Sequence, residues 1–319
     1  MSDSAIIQGD REKRTVALVS VFAAIFLTTF KLIVGILTGS LGILAEAAHS
    51  GFDFVAALIT FLAVRISGKP ADSRHPYGHG KIENLSALVE TLLLLLTCVW
   101  IIYEAIRRLF FEAVTVEASF WSFLIMGISI VVDINRSRML YRAAQKHNSQ
   151  ALEADALHFS TDIWSSSVVI LGLIGVLIAD MIPRAAFLTQ ADAIAALFVA
   201  AIVVVVSVQL GKRTIEALLD TAPAGMAQEI ERAVEAIPGV TDCHQVRVRP
   251  SGPQVFVDVH VVVDGKQSLK DAHHLTETVE TTVRGVAPAA DVTVHMEPKL
   301  PADVQTAAQP GGKQSSKGN

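Results

Sequence analysis

Two pairs of histidine and aspartate, each spaced four residues apart, are the side chains best suited to bind a metal ion. The first pair is His49 and Asp53, the second is His158 and Asp162, and each lies in a long apolar run. Residues four apart on an α-helix share one face, so each pair would project together. If the two helices pack face to face, two imidazoles and two carboxylates form a tetrahedral set that zinc accepts.

The alternative is that these polar side chains only make satisfied contacts between membrane helices. Two pairs with identical spacing favour the metal site, because ionisable groups at membrane depth are costly and usually mark an ion path. Small residues beside the first pair, such as Ala48, Ser50 and Gly51, would allow close helix approach and leave room for an ion.

A second candidate site is the loop that follows the second apolar run. Asp72, His75 and His79 are metal-ligand types at close spacing, and Gly78 and Gly80 permit sharp turns between them. A structured loop whose histidines bond to the backbone explains the same pattern equally well.

A third candidate is a group of histidines near the C-terminus. Its members are His244, His260, His273, His274, His295 and Glu297. A solvated surface is the competing interpretation. Cys243 is the neighbour of His244, and it is better interpreted as a small hydrophobic residue than as a ligand.

Composition places these sites in a membrane protein. The chain has 319 residues, 51% of them hydrophobic, and its mean hydropathy of +0.47 is high for a soluble domain. A net charge of -5 argues against a nucleic-acid partner. The two cysteines, Cys98 and Cys243, support neither a disulfide framework nor a cysteine-rich zinc finger.

Six apolar runs approach or exceed the about 20 residues that a helix needs to cross a bilayer. They are 15–37, 41–66, 84–110, 119–140, 152–180 and 190–211. The fourth is interrupted by charges such as Asp133 and Arg136. The first lacks a small-residue cleavage site and is interpreted as a retained span. Lysines and arginines are concentrated in the segments on one side of these runs, the side that includes both termini. Because positively charged segments stay in the cytoplasm, both termini are predicted to be cytoplasmic.

The composition changes after Pro223 to that of a soluble domain. The patterns predict a helix at 225–236, strands at 245–249 and 255–263, a helix at 268–284 that Ser268 caps, and a strand at 291–297. This order indicates a small α+β domain with its helices on one face of the sheet. The expected divisions are a cytoplasmic segment at 1–14, a transport domain at 15–212, a cytoplasmic domain at 213–299 and a disordered tail at 300–319.

Together these motifs resemble the cation diffusion facilitator family, in particular its bacterial zinc- and iron-type members, over residues 11–298. The resemblance rests on the paired His-x-x-x-Asp motifs, the His75–Lys81 segment and the histidine-bearing tail domain. It implies an all-α domain of six transmembrane helices and a cytoplasmic ferredoxin-like, metallochaperone-like α+β domain. It also implies a homodimer in the bacterial inner membrane that exchanges a cytosolic divalent metal for protons.

The resemblance also implies roles for individual residues. The transport site would be His49, Asp53, His158 and Asp162; the loop site Asp72, His75 and His79; and the cytoplasmic sites His244, His260, His273, His295 and Glu297. Bacterial relatives often have aspartate at the last position, so Glu297 keeps the carboxylate on a longer arm. Lys81 and Asp220 would form a salt bridge near the dimer hinge.

Zinc is the expected ion, both as transported substrate and as a structural or regulatory ligand. His49 stands where some bacterial relatives have aspartate, and imidazole favours zinc over manganese and magnesium. Cobalt, nickel, cadmium and ferrous iron stay open. Histidine as a residue type titrates near neutral pH and binds metal only when neutral, so protons and metal would compete during alternating access.

Two other functions fit parts of the pattern. A membrane-anchored metal sensor would bind metal without transporting it, and an intramembrane metalloenzyme would need an open coordination position beside a general base. The sequence has neither a His-Glu-x-x-His motif nor a Walker A motif. We therefore expect a transporter that is not an enzyme and has no organic cofactor.

Overall fold

The computed structural model describes residues 3–110, 120–181 and 188–299. Within these residues the chain forms two compact units, one built from six helices and one from two further helices and three strands. The predicted fold class, an all-α membrane domain followed by an α+β domain, is confirmed. The predicted tail at 300–319 lies outside the described residues.

Each predicted apolar run lies on its own helix. The helices are α1 (Asp3–Thr38), α2 (Leu41–Ser67), α3 (Lys81–Phe110), α4 (Phe120–His147), α5 (Gln150–Met181) and α6 (Leu188–Leu218). Among the described residues, four stretches are long and apolar enough to cross a membrane. These stretches are Gln8–Thr38, Glu46–Ser67, Lys81–Arg107 and Leu197–Leu218. The spans on α4 and α5 stay predictions.

Helix α1 begins at Asp3, well before the apolar run that predicts it. One charged residue of this extension, Lys13, is buried and paired inside the unit. Lys13 Nζ lies 3.0 Å from Asp10 one turn earlier and 2.9 Å from Glu83 on α3. Because these contacts stabilise charged residues in helical conformation, apolar periodicity underestimates where the helix starts.

Small residues bring the helices of the first unit together. Ala17 and Ala24 of α1, Ala57 of α2, and Ala151 and Ala156 of α5 are all buried in one cluster. Side chains of this size let helix backbones approach closely, which is the usual way helices pack in a membrane. Polar side chains on α2 and α5 are thereby brought within contact distance.

The second unit has the predicted order of elements. It contains α7 (Met226–Glu235), β1 (Val240–Ser251), β2 (Gln254–Val263), α8 (Leu269–Val286) and β3 (Ala290–Pro298). The sheet order is β1-β2-β3, and β2 pairs in parallel with β3, to which α8 connects it. The Ser268 hydroxyl accepts the backbone N–H of Asp271 and caps α8 as predicted.

One face of this sheet forms the core with both helices. Val257, Val259 and Val261 alternate along β2 and are fully buried with Ile230 of α7 and Val279 of α8. Alternation on a strand sends the intervening residues to the opposite face. The even-numbered side chains of β2, His260 among them, therefore point away from the helices.

Strand β1 begins at Val240, whereas the alternation predicts a start at Gln245. Gln245 has a φ of 50°, in the left-handed region. Such a residue shifts the phase of alternation within a strand, as in a β-bulge. The burial of Cys243 and Val248, an odd number of positions apart, reflects this shift. Because of the shift, a search for strict alternation misses the first part of the strand.

Candidate metal centre

The two predicted His-x-x-x-Asp pairs face each other between α2 and α5. His158 Nε2 lies 3.2 Å from Asp53 Oδ1 and 3.8 Å from Asp162 Oδ2 on its own helix. His49 Nε2 lies 3.7 Å from Asp162 Oδ1 and 3.9 Å from Asp53 Oδ1. Each aspartate therefore lies between both histidines, which is the convergence that the spacing predicts.

These distances suit a single small cation. Zinc bonds of about 2.0–2.2 Å in a tetrahedron place the ligand atoms about 3.3–3.6 Å apart. Ligand atoms of His49, Asp53 and Asp162 lie within 4.8 Å of one another, and His158 joins them through its contacts with both carboxylates. Small side-chain movements would let all four residues coordinate one ion.

The four side chains differ in depth. His158 is 7% exposed and Asp53 12% exposed, whereas His49 is 43% exposed. The site therefore has a closed floor at Asp53 and His158 and an open side at His49. His158 Nδ1 is buried without a hydrogen-bond partner among the described residues.

A buried lysine lies beside the site and was not singled out by the sequence patterns. Lys31 Nζ on α1 donates to Ser50 Oγ at 2.8 Å and pairs with Glu46 at 3.3 Å. Glu46 precedes His49 by three residues, so its carboxylate lies on the same side of α2. A charged residue inside an apolar run is the sequence signal that could have identified Lys31.

Further charged residues are buried in the same unit as the four proposed ligands. Asp133, Arg136, Asp155 and Glu90 are buried on α4, α5 and α3. The sequence patterns treated Asp133 and Arg136 only as interruptions of a span and passed over the other two. Glu90 lies within the membrane-length stretch of α3, and an ionisable residue in such a stretch is by itself an indication of function.

The loop after α2 brings Asp72, His75 and His79 together. His75 Nδ1 lies 3.2 Å from Asp72 Oδ1, and His79 Nε2 lies 3.5 Å from Asp72 Oδ2. Asp72 also accepts the backbone N–H groups of His75 and Arg74, which holds the pKa of its carboxyl below the ordinary 3.8. One carboxylate thus orders the loop and faces both imidazoles, and the polar contacts of the two imidazoles among the described residues are with this carboxylate and not with the backbone.

The outer face of the sheet in the second unit carries another cluster. His260 and His295 are paired in register on β2 and β3, and their ring centroids are 4.6 Å apart. His260 Nδ1 lies 2.7 Å from Glu297 Oε1, and His244 Nε2 lies 3.6 Å from Glu297 Oε2. The hydrogen bond with His260 lowers the pKa of Glu297.

Two residues that the sequence analysis considered together with this cluster, His273 and Cys243, lie away from it. His273 is 72% exposed on α8 and lies 3.8 Å from Glu277, and α8 packs on the opposite, core face of the sheet. Its metal role stays a prediction. Cys243 is buried in the core, where desolvation raises its pKa to about 11. A thiol that resists deprotonation is a poor metal ligand.

The predicted ion pair of Lys81 and Asp220 also stays a prediction. Lys81 begins α3, and its Nζ lies 3.4 Å from the backbone carbonyl oxygen of Leu218 near the end of α6. Asp220 belongs to the second unit.

Comparisons with known proteins match both units. A family model described as the cation efflux transmembrane domain matches residues 17–219, and one described as the cation efflux protein, cytoplasmic domain, matches residues 223–299. A cation-efflux pump FieF from Shewanella oneidensis is 31% identical over 285 residues, covering 88% of this chain and 92% of that protein. A cation-efflux pump FieF from Serratia proteamaculans is 30% identical over 291 residues, covering 89% and 92%.

Among solved structures, the metal-bound C-terminal domain of the CzcD transporter from Thermotoga maritima is similar to part of the chain. It is 38% identical, covers 23% of this chain and 86% of that chain, and has a TM-score of 0.22.

Proposed function

The chain belongs to the cation efflux family of integral membrane transporters, and from this premise we propose that it carries zinc in exchange for protons. The family is one of divalent metal transporters, so an intramembrane metalloenzyme is excluded as the function. The zinc ion would be held by His49, Asp53, His158 and Asp162.

One observation carries this proposal. Two imidazoles and two carboxylates from α2 and α5 converge at 3.2–3.9 Å in a mostly buried site. Two nitrogen and two oxygen donors suit zinc and neighbouring late metals better than magnesium or manganese, which prefer oxygen. Among the late metals, affinity alone does not decide selectivity, so the choice of zinc requires direct measurement.

Proton exchange follows from the ligand chemistry. An imidazole nitrogen that binds metal must give up its proton, so protonation of His49 or His158 would expel the ion. The buried floor at Asp53 and His158 and the more open His49 support one-sided access. Alternating access would load the site from one side and release the ion to the other.

The loop and sheet clusters would bind zinc as structural or regulatory ligands. The loop ligands would be Asp72, His75 and His79, and the sheet ligands His244, His260 and Glu297, two sets whose ligand atoms lie within 4.8 Å of one another. With the second unit in the cytoplasm, as the description of its matching family model supports, both termini would be cytoplasmic. A homodimer in a bacterial inner membrane fits this arrangement.

Uptake into proteoliposomes tests the proposal. Wild-type protein should accumulate zinc, faster when the lumen is acidic, and His158→Ala and Asp53→Ala should reduce uptake to the rate of empty vesicles. His274→Ala on the exposed α8 is the matched control and should transport normally. Competition by cobalt, nickel, cadmium and ferrous iron would rank the metals.

Three results would contradict parts of the proposal. Unchanged uptake in both site variants would contradict the assignment of these residues as ligands. Uptake that does not depend on the lumen pH would contradict proton exchange. Metal binding without any uptake would indicate a sensor.

A further inference from the structure

Two carboxyl groups outside the four proposed ligands are buried without an ion-pair partner among the described residues. Glu90 on α3 is 2% exposed and Asp155 on α5 is 0% exposed. Glu90 Oε2 and Asp155 Oδ1 are buried atoms with no hydrogen-bond partner among the described residues. Their second oxygens, in contrast, accept hydrogen bonds from hydroxyl groups.

The hydroxyl donors come from three helices. Ser20 Oγ on α1 donates to Asp155 Oδ2 at 3.3 Å, and Glu90 Oε1 accepts from Thr60 on α2 and from Ser86 at 3.4 Å. A hydroxyl stabilises a carboxylate less than a cation does. Neither carboxylate takes part in an ion pair within the described part of the chain.

The nearest cation is used by another acid. Arg136 on α4 donates to Asp133 Oδ1 at 3.2 Å, and its second nitrogen reaches Asp155 only through Ser20, to which it donates at 3.1 Å. The Arg136 guanidinium therefore interacts with two carboxylates, with Asp133 directly and with Asp155 through Ser20. Glu90 is a third buried carboxylate. Burying this excess of negative charge is costly, and a buried acid without a partner takes up a proton instead.

The two acids influence each other and the metal centre. Glu90 and Asp155 repel each other electrostatically, so a proton on one stabilises the ionised form of the other. Asp155 precedes His158 by three residues on α5, about 5–6 Å between Cβ atoms. The charge of Asp155 also interacts with His158, with Asp53 on α2 and with Arg136.

We propose that Glu90 and Asp155 form a proton-binding site, separate from the metal ligands, that releases its proton when a divalent cation occupies the metal centre. Positive charge at Asp53 and His158 and a proton on Asp155 disfavour each other, and the coupling is reciprocal. This inference rests on the proposed function, because it assigns to these two acids part of the proton exchange.

Proton release on zinc binding tests the proposal at equilibrium. The purified full chain in detergent is titrated with zinc in buffers of different ionisation enthalpy, which gives the number of protons released per zinc bound. Asp155→Asn and Glu90→Gln should each release about one proton fewer than wild type near pH 7, because the shared site is lost. Zinc should still saturate both variants, since the four ligands are intact.

Glu153→Gln is the matched control on α5, because Glu153 pairs with Arg213 at 2.6 Å and not with the buried acids. It should release as many protons as wild type. The proposal is overturned if both variants release the wild-type number, or if folded variants no longer bind zinc. If one variant does not fold, the number of protons released by the other variant, which lies on a different helix, tests the proposal.

The measurement separates this inference from the transport proposal. A wild-type protein that binds zinc with proton release but does not take it up into vesicles contradicts the proposed function alone. A wild type that transports normally beside variants with unchanged proton release contradicts the proton site alone.

Discussion

His158 Nε2 lies 3.2 Å from Asp53 Oδ1, although 105 residues separate the two in the chain. The contact joins the buried ends of the two His-x-x-x-Asp pairs, and it is the closest approach of the two helices at the metal centre among these ligand atoms. Because it spans α2 and α5, any motion that separates these helices would also open the floor of the site.

The identity of the first ligand should set metal preference. His49→Asp replaces an imidazole with a harder oxygen donor on the open side of the site, so preference should move from zinc towards manganese. The ratio of zinc to manganese uptake should fall by about 10-fold or more, because even changes to the residues around metal ligands alter affinity by about 10–100-fold. His274→Asp on the surface of α8 should leave the ratio unchanged, and an unchanged ratio in His49→Asp would argue against His49 as a ligand.

The loop site should show a pH dependence set by Asp72. Hydrogen bonds from the backbone of His75 and Arg74 lower its folded pKa below 3.8. Because the folded value is the lower one, the stabilisation is complete above 3.8 and is lost as the pH falls through the folded pKa. The amide shift of His75, followed by NMR, should titrate with a midpoint below 3.8 and lose this transition in Asp72→Asn. A midpoint at or above 3.8 would contradict the hydrogen bonds.

A buried carboxylate should be a major source of stability in the first unit. Glu83 accepts from Lys13 Nζ at 2.9 Å, from Ser67 Oγ at 2.7 Å and from Ser149 Oγ. Glu83→Gln would leave Asp10 as the remaining anionic partner of the buried Lys13 ammonium among the described residues, so the cost should approach, but stay below, the about 3–5 kcal/mol of a fully uncompensated buried charge. Thermal unfolding of the detergent-solubilised protein should therefore begin at a clearly lower temperature.

The partly exposed ion pair of Glu153 and Arg213 offers a comparison for Glu83→Gln. The free energy of unfolding should fall by at most about 1 kcal/mol in Glu153→Gln, as is usual for ion pairs near the surface. Equal effects in the two variants would mean that Glu83 does not hold the helices together.

The thiol of Cys243 should be unreactive in the folded protein. Desolvation, followed by the charges of Glu231 and Glu235, raises its pKa from 9.0 to about 11. At pH 8 this lowers the thiolate fraction about 100-fold, and thiolate is the form that reacts with maleimides. In a Cys98→Ser background, labelling should be slow until denaturant is added. Rapid labelling of the folded protein would show that Cys243 is accessible and available as a ligand.

The sequence patterns predicted most of the secondary structure because local rules govern it. Apolar runs and alternation located the helices and strands, whereas some boundaries moved, for example at Gln245, whose φ is 50°. The charged start of α1 was missed because its helical conformation depends on contacts with a distant residue, Glu83.

What the sequence by itself determined is therefore local: which residues share a helix face, as His49 and Asp53 do, and which face of a strand His260 occupies. What only the tertiary structure decided is distance between separate elements. Packing of α2 on α5 sets the His158–Asp53 contact, and the strand register places His260 beside His295. Packing of the helices of the first unit buries Glu90 and Asp155, which take part in no ion pair among the described residues. No local spacing reveals this burial, because it depends on the whole set of surrounding helices.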